Sequence, residues 1–211
     1  MIVRTIEVGA LGTNCYVVYN DGETGALKNC VIIDPGDDAK KINNMIISEE
    51  LNPSAILLTH GHFDHIGAVR ELLEKYPGIK VYAGKNENAL LQDPELNLTG
   101  RIRRPLTINA DRLLEGNEVF NEAGMRFKVI STPGHTVGSV CYLAEAENVL
   151  FSGDTLFQGS MGRTDFPTGD EERIFESLRM LALLPDETTV YPGHGAKTSI
   201  GEEKRHNPFM K

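Results

Sequence analysis

The run His60-Gly61-His62-Phe63-Asp64-His65 constrains this chain more than any other stretch. Four metal-ligating side chains crowd into six positions directly after the apolar run at residues 55–58. His60 and His62 are two apart, so on an extended segment they point to the same side. Asp64 and His65 are adjacent, and a turn aims them at a second point in space. The pattern recurs. Thr132-Pro133-Gly134-His135-Thr136 and Tyr191-Pro192-Gly193-His194-Gly195 set two more of the six histidines in Gly-rich segments after apolar runs, and Ser152-Gly153-Asp154-Thr155 follows Val149-Leu150-Phe151. A single HxH would suit a surface or a satisfied core residue. Four strand ends that deliver seven candidate ligands instead require a fold that gathers them, and the first run suits two neighbouring cations.

Between these segments the hydrophobic pattern alternates strand and helix. Strands are expected over 3–8, 15–19, 30–34, 55–58, 79–83, 140–143, 149–151 and 188–191, with two more within 118–129 joined at Asn121-Glu122-Ala123-Gly124. Asp21-Gly22 is a hairpin signal. Asp37 or Asp38 is positioned to cap a helix over 39–50, with Ile42, Met45 and Ile46 on one face. Further helices are expected from His65 to near Tyr76 (Ile66, Val69, Leu72 and Leu73 inward), over 85–91, over 171–184 (Ile174, Leu178 and Leu181 inward) and over 199–206. Residues 93–104 lack periodicity and read as loop. Runs of strands with interspersed helices imply an α/β fold of packed sheets covered by helices.

Composition narrows the function. A chain of 211 residues with 40% hydrophobic and 24% charged residues is expected to form one domain, 1–211, with a sizeable core. No apolar run reaches the length a membrane span needs, and the start reads as a first strand rather than a signal peptide, so cytoplasmic location is expected. Net charge −9 disfavours nucleic acid as a partner. The basic cluster Arg101-Ile102-Arg103-Arg104 is the exception, read as a solvated loop or as a rim that attracts an anionic substrate. Cys15, Cys30 and Cys141 are an odd number without CxxC spacing and are expected as buried free thiols.

The HxHxDH run followed by GHT, GDT and PGHG segments resembles the metallo-β-lactamase superfamily. With Thr13-Asn14-Cys15-Tyr16, Gly162-Arg163-Thr164-Asp165 and His206-Asn207-Pro208-Phe209, it looks most like the short glyoxalase II-like (hydroxyacylglutathione hydrolase-like) branch. The resemblance implies an αββα sandwich of two mixed sheets flanked by helices. It implies that His60, His62 and His135 hold one divalent cation, that Asp64, His65 and His194 hold a second, and that Asp154 bridges them. Zinc is the expected metal, with iron or manganese compatible with the same imidazole and carboxylate donors. Asp64 and Asp154 are the candidate catalytic carboxylates around a shared water that loses a proton to become the nucleophile. The implied activity is hydrolysis of a hydroxyacyl thioester, a small acyl-thiol. The alternative within the same fold is a mononuclear iron persulfide dioxygenase. Larger glyoxalase II proteins carry an added helical region that helps bind glutathione, whereas this chain runs only from His194 to Lys211, so a shorter thiol carrier or a broader acyl-thiol range is expected. Asp34 has two possible roles, orienting a ligand imidazole or closing the Pro35-Gly36 turn. Arg163 is expected to pair with Asp165, Thr136 and Ser139 to cap backbone, and His206 to lie at the surface.

Overall fold

The computed structural model describes residues 1–21 and 27–211, so Gly22 of the expected hairpin turn lies outside the described residues. Six strands make a first sheet in chain order: β1 (Ile2–Val8), β2 (Thr13–Tyr19), β3 (Lys28–Ile33), β4 (Leu51–Leu58), β5 (Lys80–Gly84) and β6 (Arg112–Leu114). β1 to β3 pair antiparallel, and β3 to β6 pair parallel. The second sheet is built from β7 (Val119–Glu122), β8 (Met125–Ser131), β9 (Val140–Ala144), β10 (Val149–Gly153), β13 (Thr189–Pro192) and β14 (Thr198–Ser199), in the order β14-β13-β10-β9-β8-β7. Its pairs are antiparallel except β10 with β13. A small ribbon, β11 (Leu156–Phe157) with β12 (Ser160–Met161), follows β10.

Period-two alternation sorts the side chains into layers. In β3, Val31 and Ile33 join Tyr16, Val18, Ala55 and Leu57 in a middle layer against Phe127, Val129, Tyr142 and Phe151 of the other sheet. The alternate residues Cys30 and Ile32 pack outward with Ile42 and Ile46 of α1 (Ala39–Ser48) and with Val69 and Leu72 of α3 (Val69–Lys75). On the far side Cys141, Leu143, Leu150 and Val190 pack with Leu178 and Leu181 of α5 (Glu171–Leu181). The result is the expected helix–sheet–sheet–helix sandwich. Each fully buried Leu, Ile or Phe removed from water stabilises it by about 1.5–3 kcal/mol, before the entropy of ordering the chain is counted.

Local details depart from the sequence expectation. Asp38 precedes α1 in a left-handed conformation and makes no side-chain cap; its carboxylate instead accepts Gly9 N at 3.0 Å. The expected helix from His65 is two pieces, α2 (Phe63–Ile66) and α3, because Ala68 N donates to Pro35 O at 3.0 Å and leaves the helical ladder. The segment 85–91 opens as a 3₁₀ turn (Lys85–Glu87) before α4 (Asn88–Leu91). The strand expected at 55–58 begins earlier, at Leu51. The final helix, α6 (Ile200–His206), forms where expected, with Ser199 as its cap: Ser199 Oγ accepts Glu202 N at 3.2 Å. Among the described residues, no helix is long and apolar enough to cross a membrane.

Candidate metal centre

Each ligand-bearing segment follows the C-terminal end of a strand. His60, His62, Asp64 and His65 come after β4; His135 after β8, Asp154 after β10 and His194 after β13. The first sheet thus supplies four candidates and the second supplies three, and all seven meet at one end of the sandwich. One nitrogen of each of His60, His62 and His135 lies within 4.8 Å of the others, and the same holds for donor atoms of Asp64, His65 and His194. Asp154 joins the two groups. Its carboxylate oxygens lie 3.3 Å from His65 Nε2, 3.5 Å from His194 Nε2 and 3.6 Å from His135 Nε2.

The packing at this centre suits a bound cation. His60 Nε2, His62 Nε2, His65 Nε2 and Asp154 Oδ1 are buried without a hydrogen-bond partner; the 3.3 Å approach of the last two lacks hydrogen-bond alignment. His62 Nδ1 and His135 Nε2 face each other at 2.9 Å, and the rings of His60 and His65 are 4.1 Å apart. Leaving polar atoms unpaired in a dry interior costs roughly 1–3 kcal/mol each, which convergence on a cation would offset. Electrostatics separate the two groups. Burial, then the neighbouring imidazoles, pushes His60 well below the usual histidine range, and burial with His135 pushes His62 down to about 3. Those rings stay neutral, as ligation requires. In the second group burial opposes charge, but Asp154 and Asp64 outweigh it and raise His65, while His65 and His194 hold the Asp64 carboxyl below the ordinary range.

A surrounding set of hydrogen bonds fixes the rings. Asp34 Oδ2 lies 3.0 Å from His65 Nδ1, and the same carboxylate accepts Thr59 N at 2.8 Å and Thr59 Oγ1 at 2.6 Å. Of its two possible roles, Asp34 takes the orienting one. Its closeness to His60 as well makes it a third possible donor group, but its oxygens are already engaged on the side of His65 away from the centre. His135 Nδ1 meets Arg163 O at 2.7 Å, and Thr13 Oγ1 donates to Asp64 Oδ2 at 3.0 Å. β2 also holds the His194 segment: Asn14 Nδ2 donates to Pro192 O at 3.0 Å and to Gly195 O at 2.9 Å. Gly193 is required by closeness, since a Cβ there would stand 2.1 Å from Asp154 Oδ1.

Sequence reasoning missed Glu87. It is fully buried; its Oε1 accepts Gly61 N at 2.8 Å and its Oε2 accepts Thr136 Oγ1 and Gly138 N, both at 2.9 Å. It ties the His60–His62 segment to the His135 segment. Ser139 Oγ accepts Thr136 N at 3.2 Å, the expected backbone contact, whereas the Thr136 hydroxyl meets the Glu87 and Ser139 side chains instead of backbone. The available signal was position: Glu87 lies three and four residues before Leu90 and Leu91, which makes it a charge on a buried helical face. Arg163 pairs with Asp165 through two bonds of 2.6 and 2.7 Å and lies over the Phe166 ring. His206 is exposed, beside Glu202. All three cysteines are buried and free. The centre opens into a cavity of about 470 Å³ lined on its apolar side by Leu11, Phe63, Leu98, Phe157, Met161 and Phe166.

Residues 8–194 match the family model of the metallo-beta-lactamase superfamily. The chain belongs to that superfamily. A probable metallo-hydrolase of Bacillus subtilis, YqgX, is 40% identical, with 98% of this chain and 96% of the relative covered. The hydroxyacylglutathione hydrolase GloC of Haemophilus influenzae is 36% identical, covering 100% and 98%. Among solved structures, BLEG-1 B3 metallo-beta-lactamase superposes with a TM-score of 0.91 at 44% identity over 99% of both chains. TTHA1623 in a di-iron-bound form gives 0.84 at 37% identity over 98% and 100%. ETHE1 of Myxococcus xanthus gives 0.78 at 31% identity over 99% of this chain and 84% of its own. With the clusters above, superfamily membership identifies a metal-dependent hydrolase fold with donors for two ions.

Proposed function

We propose that this chain is a binuclear metallohydrolase, one domain spanning 1–211, that cleaves a hydroxyacyl thioester in the cytoplasm. The observation that carries the reading is the pair of donor groups joined by Asp154 at the floor of an open, largely apolar cavity. His60, His62 and His135 hold one cation, Asp64, His65 and His194 the other, and Asp154 reaches both. When bound, such a pair acidifies a shared water and polarises a carbonyl oxygen. The protein's own part is orientation. Asp34 fixes His65, the Arg163 carbonyl fixes the His135 tautomer, and Thr13 fixes Asp64. Leu98, Phe157 and Phe166 exclude bulk water from the acyl group. A thiolate leaves readily, so no strong acid is needed beside it. The activity named for the Haemophilus relative supports the thioester class, and the di-iron neighbour supports two ions, with zinc or iron the candidate metal. Three free buried thiols suit a reducing compartment.

The test pairs metal analysis of protein purified without added metal with a thioester hydrolysis assay. About two ions per chain and hydrolysis are expected. Asp154→Ala is expected to lower metal content and to reduce turnover by roughly a hundredfold or more. A variant that keeps both would remove Asp154 from its bridging role. One iron per chain, with oxygen consumed in the presence of a thiol persulfide, would instead favour the dioxygenase alternative. A β-lactam serves as control substrate, given the likeness to BLEG-1.

A further inference from the structure

A second cavity of about 600 Å³ adjoins the metal centre, and the two share Leu11, Phe63 and Asp64 as a common wall. Its far side holds Arg70, from the first turn of α3, and Arg104, from the loop after α4. Among the described residues, neither guanidinium has an ion pair or a side-chain hydrogen bond, and the same is true of Arg101 and Arg103 on the same loop. A chain of net charge −9 thus sets two guanidinium groups without an ion pair on the lining of one cleft, with Arg101 and Arg103 close by in the sequence. The position of Arg104 is built, not incidental. Phe63 N, beside the ligands, donates to Asn97 O at 2.9 Å, and buried Asn97 Nδ2 donates to Leu106 O at 2.8 Å. Buried Thr99 accepts Leu106 N at 2.9 Å, and Thr99 O accepts Arg104 N at 3.0 Å. The loop is therefore tied at one end to the metal-binding segment and at the other to the arginine.

We propose that this cleft receives the thiol half of the substrate and that Arg70 and Arg104 bind a carboxylate on it. The assignment rests on the thioester reading above and adds to it the chemistry of the carrier. A substrate whose thioester carbonyl sits at Asp154 and Asp64 passes its sulfur over the shared wall into the second cavity, where exposed Leu11 and Ile102 cover its aliphatic part. Guanidinium groups suit a planar carboxylate. A dianionic phosphate fits less well, because Asp37 and Glu71 also line the cleft. Among the described residues, neither acid forms an ion pair with Arg70 or Arg104.

The experiment compares two substrates that differ in one charge, the lactoyl thioester of N-acetylcysteine and that of N-acetylcysteine amide. Both are assayed on the metal-loaded wild type and on R70Q/R104Q, at low and high salt. The wild type is expected to favour the carboxylate by about tenfold in kcat/KM, through KM, with the preference shrinking as salt rises. In the double variant the ratio is expected to fall close to one. If both thioesters are hydrolysed with no preference, or the variant keeps the preference, the cleft assignment is overturned and the hydrolase reading stands. If the two-metal protein hydrolyses neither, the thioester reading fails. The cleft is then decided by calorimetry with S-propyl ethers of the same two thiols: tighter binding of the carboxylate by wild type alone supports it, and equal binding to both proteins overturns it.

Discussion

Asp34 stands at φ +49 where β3 ends, a left-handed conformation that is rare for a residue with a side chain. Such strain persists only where surrounding contacts over-determine it, and here Thr59 N, Thr59 Oγ1 and His65 Nδ1 all meet one carboxylate. Asp34→Asn keeps the shape but turns an amide NH₂ toward groups that donate. Metal affinity is expected to fall roughly 10–100-fold, measured by competition with a chelator, while the circular dichroism of the fold is retained. Unchanged affinity would leave Asp34 only the turn. At this scale the ligand types were legible, because imidazoles and carboxylates in Gly-rich turns have few other uses in such numbers. From the residues alone the division of labour between Asp34 and Asp154 was not; the family resemblance gave Asp154 the bridging place and left the choice between Asp34's two roles open. Both acids end strands, and only the direction of each side chain separates orienting a ring from reaching the centre.

Elements were legible where their period was strong and illegible where a distant contact overruled it. The helix face Ile66, Val69, Leu72 follows the expected spacing, yet the helix breaks because Pro35 O captures the amide of Ala68. Glu87 is the more consequential case, a carboxylate on the face of Leu90 and Leu91 that fastens two ligand segments together. Glu87→Gln presents an NH₂ to at least one of three donors and is expected to cost about 2–3 kcal/mol by urea unfolding. The pH dependence has a definite sign. Burial pushes the Glu87 carboxyl up to about 7 from an ordinary value of 4.5. The folded state therefore retains a proton that the unfolded chain releases, and this contribution to stability, complete below about 4.5, is lost as pH rises through about 7. The stability gap between wild type and Glu87→Gln should narrow from pH 5 to pH 8. A gap that widens would show that Glu87 is ionised throughout.

For the whole molecule, the centre is where the two sheets are joined by function. Buried, unpartnered nitrogens from the segment after β4 and an oxygen from the turn after β10 converge there, so the metal-free protein bears the cost of their desolvation. Metal held a thousandfold above its dissociation constant stabilises by about 4 kcal/mol. For a chain of this size each kcal/mol moves Tm by about 2–4 °C. Stripping the ions is therefore expected to lower Tm by roughly 10 °C, read by calorimetry with and without chelator, and restored by zinc or ferrous iron. No shift would mean that the seven side chains do not form a loaded site. By itself the sequence determined the α/β class, the strand faces and the candidate ligands, because alternation, turn chemistry and donor type are local properties of a few consecutive residues; the sandwich came from the family resemblance of its motifs. Only the tertiary structure decided that Glu87 clamps two of the ligand segments and that a cleft lined by Arg70 and Arg104 adjoins them. Those depend on meetings such as Glu87 with Gly61 and Asn14 with Pro192, 26 and 178 positions apart, which packing brings together and no local pattern encodes.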